Sequence, residues 1–141
     1  MKILVITDSY PPHHSGGYEL RSRDIFESLR NKGHEITIIT AHCPNKNCKL
    51  HENEENIERI LHNKSETNSL ISQIFIDILD MKNINKNVAN FWPDIVYLSH
   101  LGNLPDPIIF YFFDRKIPIV FDDGGLGMVY VLKKFQQGLY Y

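Results

Sequence analysis

The chain has 141 residues, of which 43% are apolar and 23% are charged, and its formal net charge is −2. These values are typical of an ordinary globular protein, and the length predicts a single domain over residues 1–141. The small net charge excludes a broad basic face for nucleic acid, and the sequence shows no local basic cluster in its place.

The N-terminal segment predicts a protein without a targeting sequence. Its apolar run is too short for the hydrophobic part of a signal peptide, and Asp8 interrupts it. No stretch approaches the roughly 18 apolar residues that a membrane-spanning helix needs. We therefore expect a cytoplasmic protein with no transmembrane segment.

Two cysteines, Cys43 and Cys48, lie in the segment AHCPNKNCKLH, with His42 and His51 beside them. A zinc site is one interpretation, because thiolates and imidazoles are ligands that zinc prefers. The spacing is wider than that of the usual zinc-binding cysteine pairs, and Pro44 stiffens the loop. We favour reduced loop cysteines and predict no metal.

The first forty residues predict a βαβ unit. Residues 3–7 are a continuous apolar run, which is typical of a strand buried on both faces. A helix is predicted after the loop SYPPHHSGG, because one set of side chains recurs at helical spacing. This set is Tyr18, Ser22, Ile25, Phe26 and Leu29. Gly33 ends the helix, and residues 34–40 form a second strand.

The rest of the chain continues this alternation. The clearest helix is predicted over residues 65–83, capped by Ser65 or Thr67, with Phe91 as an alternative end. Its apolar stripe consists of Leu70, Ile71, Ile74, Phe75, Ile78 and Leu79. Further strands are predicted at residues 57–62, 95–99 and 117–121, and further helices at residues 107–114 and 128–137. A helical turn is the alternative for residues 57–62. The pattern predicts a Rossmann-like, doubly wound parallel sheet of the α/β class.

The loop between the first strand and the first helix is a candidate anion site. Gly16 and Gly17 lie where helix N–H groups favour anions, and glycine lets a phosphate approach the backbone closely. His13 and His14 lie in the same loop and are candidates for binding a phosphate or a hydroxyl group. The alternatives are a tight turn for the glycines and solvation for the histidines.

Three further candidates follow later strands at the edge where ligands of open α/β sheets bind. His100 comes directly after the strand at residues 95–99 and is positioned to orient a hydroxyl group; a helix-capping or buried hydrogen-bonded role is the alternative. Asp122 and Asp123 come after the strand at residues 117–121, where a carboxylate can accept hydrogen bonds or act as a base. A helix cap is the alternative for both aspartates.

Together, these segments resemble the N-terminal, acceptor-binding domain of a GT-B fold glycosyltransferase of family 4. The family typically shows Tyr-Pro-Pro, a Gly-Gly pair with an acidic residue, and a helix that ends in Gly-His-Glu. The matching residues are Tyr10, Pro11, Pro12, Gly16, Gly17, Glu19, Gly33, His34 and Glu35. The segments PDIVYLSHLG and IPIVFDDGG resemble later inner strands of that domain.

The resemblance implies transfer of a sugar, with retention, from a nucleotide-sugar to a hydroxyl of a sugar, lipid or polysaccharide acceptor. It implies no cofactor, Gly16 and Gly17 beside the donor phosphates, and a donor-binding C-terminal domain that is absent here. Two features depart from the family. Asp122 stands where the family's strand usually ends in histidine, and the second domain's pair of glutamates has no counterpart. We therefore expect the chain to be inactive or nearly so by itself.

Two other interpretations remain open. The chain is alternatively a non-catalytic truncated product, or an acceptor-binding subunit that pairs with a separate donor domain. A flavodoxin-like or receiver-like domain is a third interpretation, since receivers also place aspartates at strand ends. That interpretation leaves the Pro-Pro and Gly-Gly loop without a role.

Overall fold

The computed structural model describes residues 1–13, 16–42, 55–63, 69–100, 104–105, 107–122 and 133. These residues form five strands and three helices. In chain order they are β1 (Lys2–Thr7), α1 (Gly17–Asn31), β2 (Glu35–Ala41), β3 (Ile57–Leu61), α2 (Leu70–Phe91), β4 (Ile95–Ser99), α3 (Ile108–Asp114) and β5 (Ile119–Asp122).

The strands form one sheet in the order β3-β2-β1-β4-β5, and every neighbouring pair is parallel. The chain builds from β1 to β2 and β3 on one side, and then crosses back to add β4 and β5 on the other. This is the predicted Rossmann-like, doubly wound α/β fold. The ambiguous segment at residues 57–62 is confirmed as a strand, since β3 forms the edge beside β2.

Helices cover both faces of the sheet. Leu4 and Ile6 of β1 pack on the face that α2 and α3 cover, whereas Ile3 and Val5 pack on the face of α1. The helices contribute the buried side chains Phe26 from α1, Ile84 and Val88 from α2, and Ile108 and Phe112 from α3. Because both faces of β1 are covered, a ligand reaches the central strands at the edge where they end.

Helix α2 is confirmed as a helix, but its apolar stripe is not part of the core. The helix reaches Phe91, the alternative end, and its N-terminal cap is Ser69; Ser65 and Thr67 lie outside the described residues. All six stripe residues are exposed, with Ile71 at 80% and Phe75 at 64%. A helix of this length spans about 33 Å, whereas a five-residue strand spans about 17 Å. The sheet therefore covers only the second half of α2.

This division of α2 predicts two different responses to substitution. Phe75→Gln is expected to change the free energy of unfolding by less than about 0.5 kcal/mol, because the ring is already in water. Ile84→Val is expected to cost about 1 kcal/mol, because the side chain is fully buried in the core. Urea denaturation of the two variants measures both values. A larger loss for Phe75→Gln than for Ile84→Val would contradict the exposed position of the stripe.

Two predicted features fall outside the described residues. One is the loop with Cys43 and Cys48, and the other is the helix at residues 128–137, of which only Lys133 is described. Within the described part of the chain, no group of three or more histidine, cysteine, aspartate and glutamate side chains is arranged to hold a metal ion. None of the helices described is both long and apolar enough to cross a membrane.

Candidate functional site

Polar side chains gather where the strand order reverses, between the carboxyl ends of β1 and β4. Asp8 follows β1 and His100 follows β4, and these two strands are neighbours in the sheet. Nδ1 of His100 lies 2.8 Å from Oδ1 of Asp8. In open α/β sheets, the crevice at such a reversal is where ligands bind. We call the residues gathered here the carboxyl-edge cluster: Asp8, Tyr18, Arg21, Tyr97, Ser99, His100 and Asp122.

Within the carboxyl-edge cluster, Tyr18 contacts both His100, after β4, and Asp122, at the end of β5. Its ring stacks on the imidazole of His100, with centroids 5.2 Å apart and an angle of 26° between the planes. Its hydroxyl donates a hydrogen bond to the backbone carbonyl of Asp122 and accepts one from Oγ of Ser99 at 3.3 Å. Since Tyr18 lies in the first turn of α1, these contacts fix that helix start against the ends of β4 and β5.

Asp122, the last residue of β5, is held as a charged carboxylate. Arg21 donates hydrogen bonds to both of its oxygens at 2.6 and 2.7 Å, and the Tyr97 hydroxyl donates to Oδ2 at 2.6 Å. Burial by itself raises the pKa of this carboxyl. The hydrogen bonds from Tyr97 and Arg21, with the charge of Arg21, outweigh burial, and the pKa lies below its ordinary value.

The two groups that donate hydrogen bonds to the carboxylate of Asp122, those of Tyr97 and Arg21, have raised pKa values. Burial, followed by the hydrogen bond to Asp122, raises the pKa of the Tyr97 phenol well above its ordinary value. The hydrogen bond to Asp122 and the charge of its carboxylate raise the pKa of Arg21. All three groups therefore keep their ordinary charge states over the physiological pH range, and the arrangement holds the end of β5 rather than supplying a proton.

The backbone at His100 is unusual for its place in the fold. Its φ angle is 58°, in the left-handed region that non-glycine residues rarely adopt. Three other described non-glycine residues share this feature, and each lies shortly before a strand: Asn56, Trp92 and Lys116. Among the residues the structure describes, His100 is thus the only such case after a strand, at the edge where the site lies.

A buried arginine fastens the loop that follows β1. Arg59 of β3 is 6% exposed, and its guanidinium donates hydrogen bonds to the backbone carbonyls of Tyr10 at 3.1 Å and Pro11 at 2.8 Å. The Tyr10 ring is buried beside Phe26. Further along the loop, the Ser9 hydroxyl donates to the backbone carbonyl of His13 at 2.8 Å. The loop is therefore held to the core by the hydrogen bonds from Arg59, and a further hydrogen bond, from Ser9 to His13, lies within the loop.

Neither Gly16, before α1, nor Gly17, its first residue, is required by the local backbone or by space. Gly16 is extended, with φ at −155°, which any residue adopts. A Cβ at Gly16 would meet Glu19 at an ordinary distance of 3.7 Å, and one at Gly17 would meet no described atom within 4 Å. Neither position therefore has a backbone conformation that requires glycine, and the described residues leave the space beside Gly17 empty.

The structure brings together several predicted site residues and adds others. Gly17 directly precedes Tyr18, which contacts both His100 and Asp122. His13 lies in the anchored loop, while His14 and Asp123 fall outside the described residues. The sequence interpretation missed Asp8, Tyr18, Arg21, Tyr97 and Arg59. The position of Asp8 directly after the first strand was an available signal.

Comparison of the chain with protein-family models and with curated proteins finds no match. The site is therefore interpreted from its own geometry.

Proposed function

We propose that this domain binds the hydroxyl-bearing acceptor in a sugar transfer from a nucleotide-sugar, as the acceptor half of a family-4-like glycosyltransferase. The observation that carries the proposal is the position of Tyr18. It directly follows the Gly16–Gly17 pair, its ring contacts His100, and its hydroxyl contacts the end of β5. The strand ends that the resemblance assigns to a sugar-transfer site are thus neighbours.

The open start of α1 supports a role beside the donor phosphates. Backbone N–H groups at a helix start attract anions, and Gly17 leaves the space next to them empty of described atoms. In the proposed reaction these groups stabilise the charge that develops on the leaving diphosphate. In the full-length enzyme, a donor-binding domain supplies the remaining contacts to the nucleotide-sugar.

The second candidate is a non-catalytic acceptor-binding subunit that pairs with a separate donor domain. The ion pair between Asp122 and Arg21 favours this non-catalytic candidate. A carboxylate paired in this way, with a lowered pKa, is a weak base, which counts against a catalytic role for Asp122. The catalytic role of Asp122 and Asp123 stays a prediction. Transfer to sugar acceptors, assayed with and without a donor domain, separates the two candidates. Strong transfer by the chain alone would contradict both.

Gly17→Ala tests the proposed phosphate contact without disturbing the fold. Its free energy of unfolding is expected to stay equal or to rise by up to about 1 kcal/mol, because alanine favours a helix more than glycine does. Its affinity for UDP-glucose and GDP-mannose, measured by shifts of backbone amide signals in NMR titrations, is expected to fall at least about tenfold, because the methyl group blocks close approach to the backbone.

Lys32→Ala, just beyond the other end of α1, is the matched control and is expected to leave the affinity unchanged. Unchanged nucleotide-sugar binding by Gly17→Ala would refute the phosphate contact at the start of α1. Failure of both nucleotide-sugars to bind the wild-type chain would count against a role of this helix start beside the donor phosphates.

A further inference from the structure

We propose that Asp8 and His100 form a proton-accepting pair, in which Nε2 of His100 receives the hydrogen of the acceptor hydroxyl. The identity of the hydroxyl compound rests on the proposed function, whereas the pair itself rests on geometry. In the sequence interpretation His100 only orients a hydroxyl group, and Asp8 has no role. Here His100 is the catalytic residue and Asp8 is a positioning residue.

The contact with Asp8 determines which ring nitrogen of His100 is free to accept. A carboxylate oxygen only accepts hydrogen bonds, so the 2.8 Å contact places a hydrogen on Nδ1 of the imidazole. In the neutral ring, Nε2 then carries the lone pair. The side chain of His100 is 46% exposed, and among the described residues none forms a hydrogen bond with Nε2. Within the described part of the chain, the accepting atom is therefore left for a ligand.

Two neighbours hold the imidazole of His100 in place during the proposed proton transfer. The Asp8 side chain, which contacts Nδ1, is only 9% exposed. The ring of Tyr18 stacks on the imidazole and offers its electron-rich face to an imidazolium. Arg21 also lies over the Tyr18 ring, but its charge is paired with Asp122. These contacts hold the ring in place before and after it takes the proton.

The backbone provides an independent observation in favour of a functional side chain at this position. A residue with φ of 58° is strained unless it is glycine, and strained residues of this kind cluster at functional sites. Glycine at position 100 would end β4 without that strain. The fold instead presents an imidazole there, at the end of a strand beside the reversal of strand order.

The proton transfer balances within the proposed sugar transfer. The acceptor oxygen forms a bond to the anomeric carbon, the bond from that carbon to the diphosphate oxygen breaks, and the electron pair leaves with the diphosphate. The hydroxyl proton passes to Nε2 of His100, which becomes a cation beside the Asp8 carboxylate. The role concerns the acceptor hydroxyl and so applies to either stereochemical outcome.

The first experiment measures the ring hydrogen by ¹⁵N NMR of the histidine side chains in the full chain. We expect His100 to show the form with hydrogen on Nδ1, and Asp8→Asn to shift it towards the form with hydrogen on Nε2. His62 is an internal control, because its Nδ1 contacts Asp80 at 2.6 Å and Asp8→Asn leaves that contact intact. Hydrogen on Nε2 of His100 in the neutral wild-type ring would overturn the proposal.

The second experiment measures binding of the methyl α-glycosides of glucose, mannose and galactose, followed through the amide signals of Gly17 and Tyr18. His100→Asn is the test variant, since asparagine tolerates left-handed backbone better than most residues. It is expected to lower the affinity about tenfold, whereas His62→Asn leaves it unchanged.

The outcomes separate the pair from the proposed function. Equal binding of a sugar by His100→Asn and the wild type would overturn the role of Nε2, while the proposed function would stand. If no sugar on the panel binds but the Nδ1 hydrogen and its dependence on Asp8 are found, the proposed function fails. The proton-accepting pair is then supported for a hydroxyl compound of another class.

Discussion

Arg59→Leu is expected to lower the free energy of unfolding by about 3 kcal/mol, because it removes two charge-assisted hydrogen bonds from a buried place. The guanidinium of Arg59 is the donor to the carbonyls of Tyr10 and Pro11, and leucine provides no donor in its place. The loop after β1 should then detach from β3. Urea denaturation measures the loss, and faster hydrogen exchange of the His13 amide, which donates to the Tyr10 carbonyl, reports the detachment.

Arg23→Leu is the matched control for this prediction. Arg23 forms its ion pairs with Asp24 and Glu27 on the exposed side of α1. Surface pairs of this kind contribute little, so a change within about 0.5 kcal/mol is expected. The loss in free energy of unfolding for Arg59→Lys should lie between those for Arg59→Leu and Arg23→Leu. An ammonium group keeps the charge but lacks the two-pronged geometry of a guanidinium. A stability of Arg59→Leu equal to that of the wild type would contradict the anchoring role.

Asp122→Asn is expected to lower the free energy of unfolding at pH 7 by about 1–2 kcal/mol, a range already reduced for the solvent exposure of its ion-pair partner. The folded protein holds the pKa of Asp122 below its ordinary value of 3.8. A carboxyl with a lowered pKa stabilises the fold above its unfolded pKa, and this contribution disappears as the pH falls through the folded value. The difference between wild type and variant should therefore shrink steadily below about pH 4.

Urea denaturation at pH 7, 5 and 3 tests this pH dependence. Asp114→Asn, an exposed aspartate at the end of α3, is the control and should show no comparable change between pH 7 and pH 3. Tyr97→Phe removes one of the hydrogen bonds that lower the pKa of Asp122, so it should also weaken the pH dependence. A stability difference for Asp122→Asn as large at pH 3 as at pH 7 would show that the charge of Asp122 does not hold β5.

The fold was predictable because its strands carry strong local signals. Apart from their first residues, Lys2 and Glu35, β1 and β2 are apolar or β-branched, and each follows or precedes a clear turn. The parallel arrangement then places His100 and Asp122 at one edge without any knowledge of their contacts. Helix α2 was predicted from the stripe that includes Phe75, yet periodicity alone does not indicate which part of a long helix meets a short sheet.

The contacts within the site were less predictable, because they join residues far apart in sequence. Asp8 and His100 are separated by 92 positions, and Arg59 lies 49 positions from Tyr10. Local patterns predict which residues end a strand but not which of them meet across the edge. Arg59 shows the difficulty: in a strand its alternation places it on a buried face, whereas a charged residue is normally expected in solvent.

The ion pair between Arg21 of α1 and Asp122 of β5 has a consequence for folding kinetics. Arg21 and Asp122 are 101 positions apart in a chain of 141 residues, so their contact closes a long loop. Loop closure of that length follows the docking of β4 and β5 onto β1, late in folding. Contacts that form after the rate-limiting step of folding act mainly on the unfolding rate. The ion pair between Arg21 and Asp122 therefore affects the lifetime of the folded molecule more than the rate at which the chain folds.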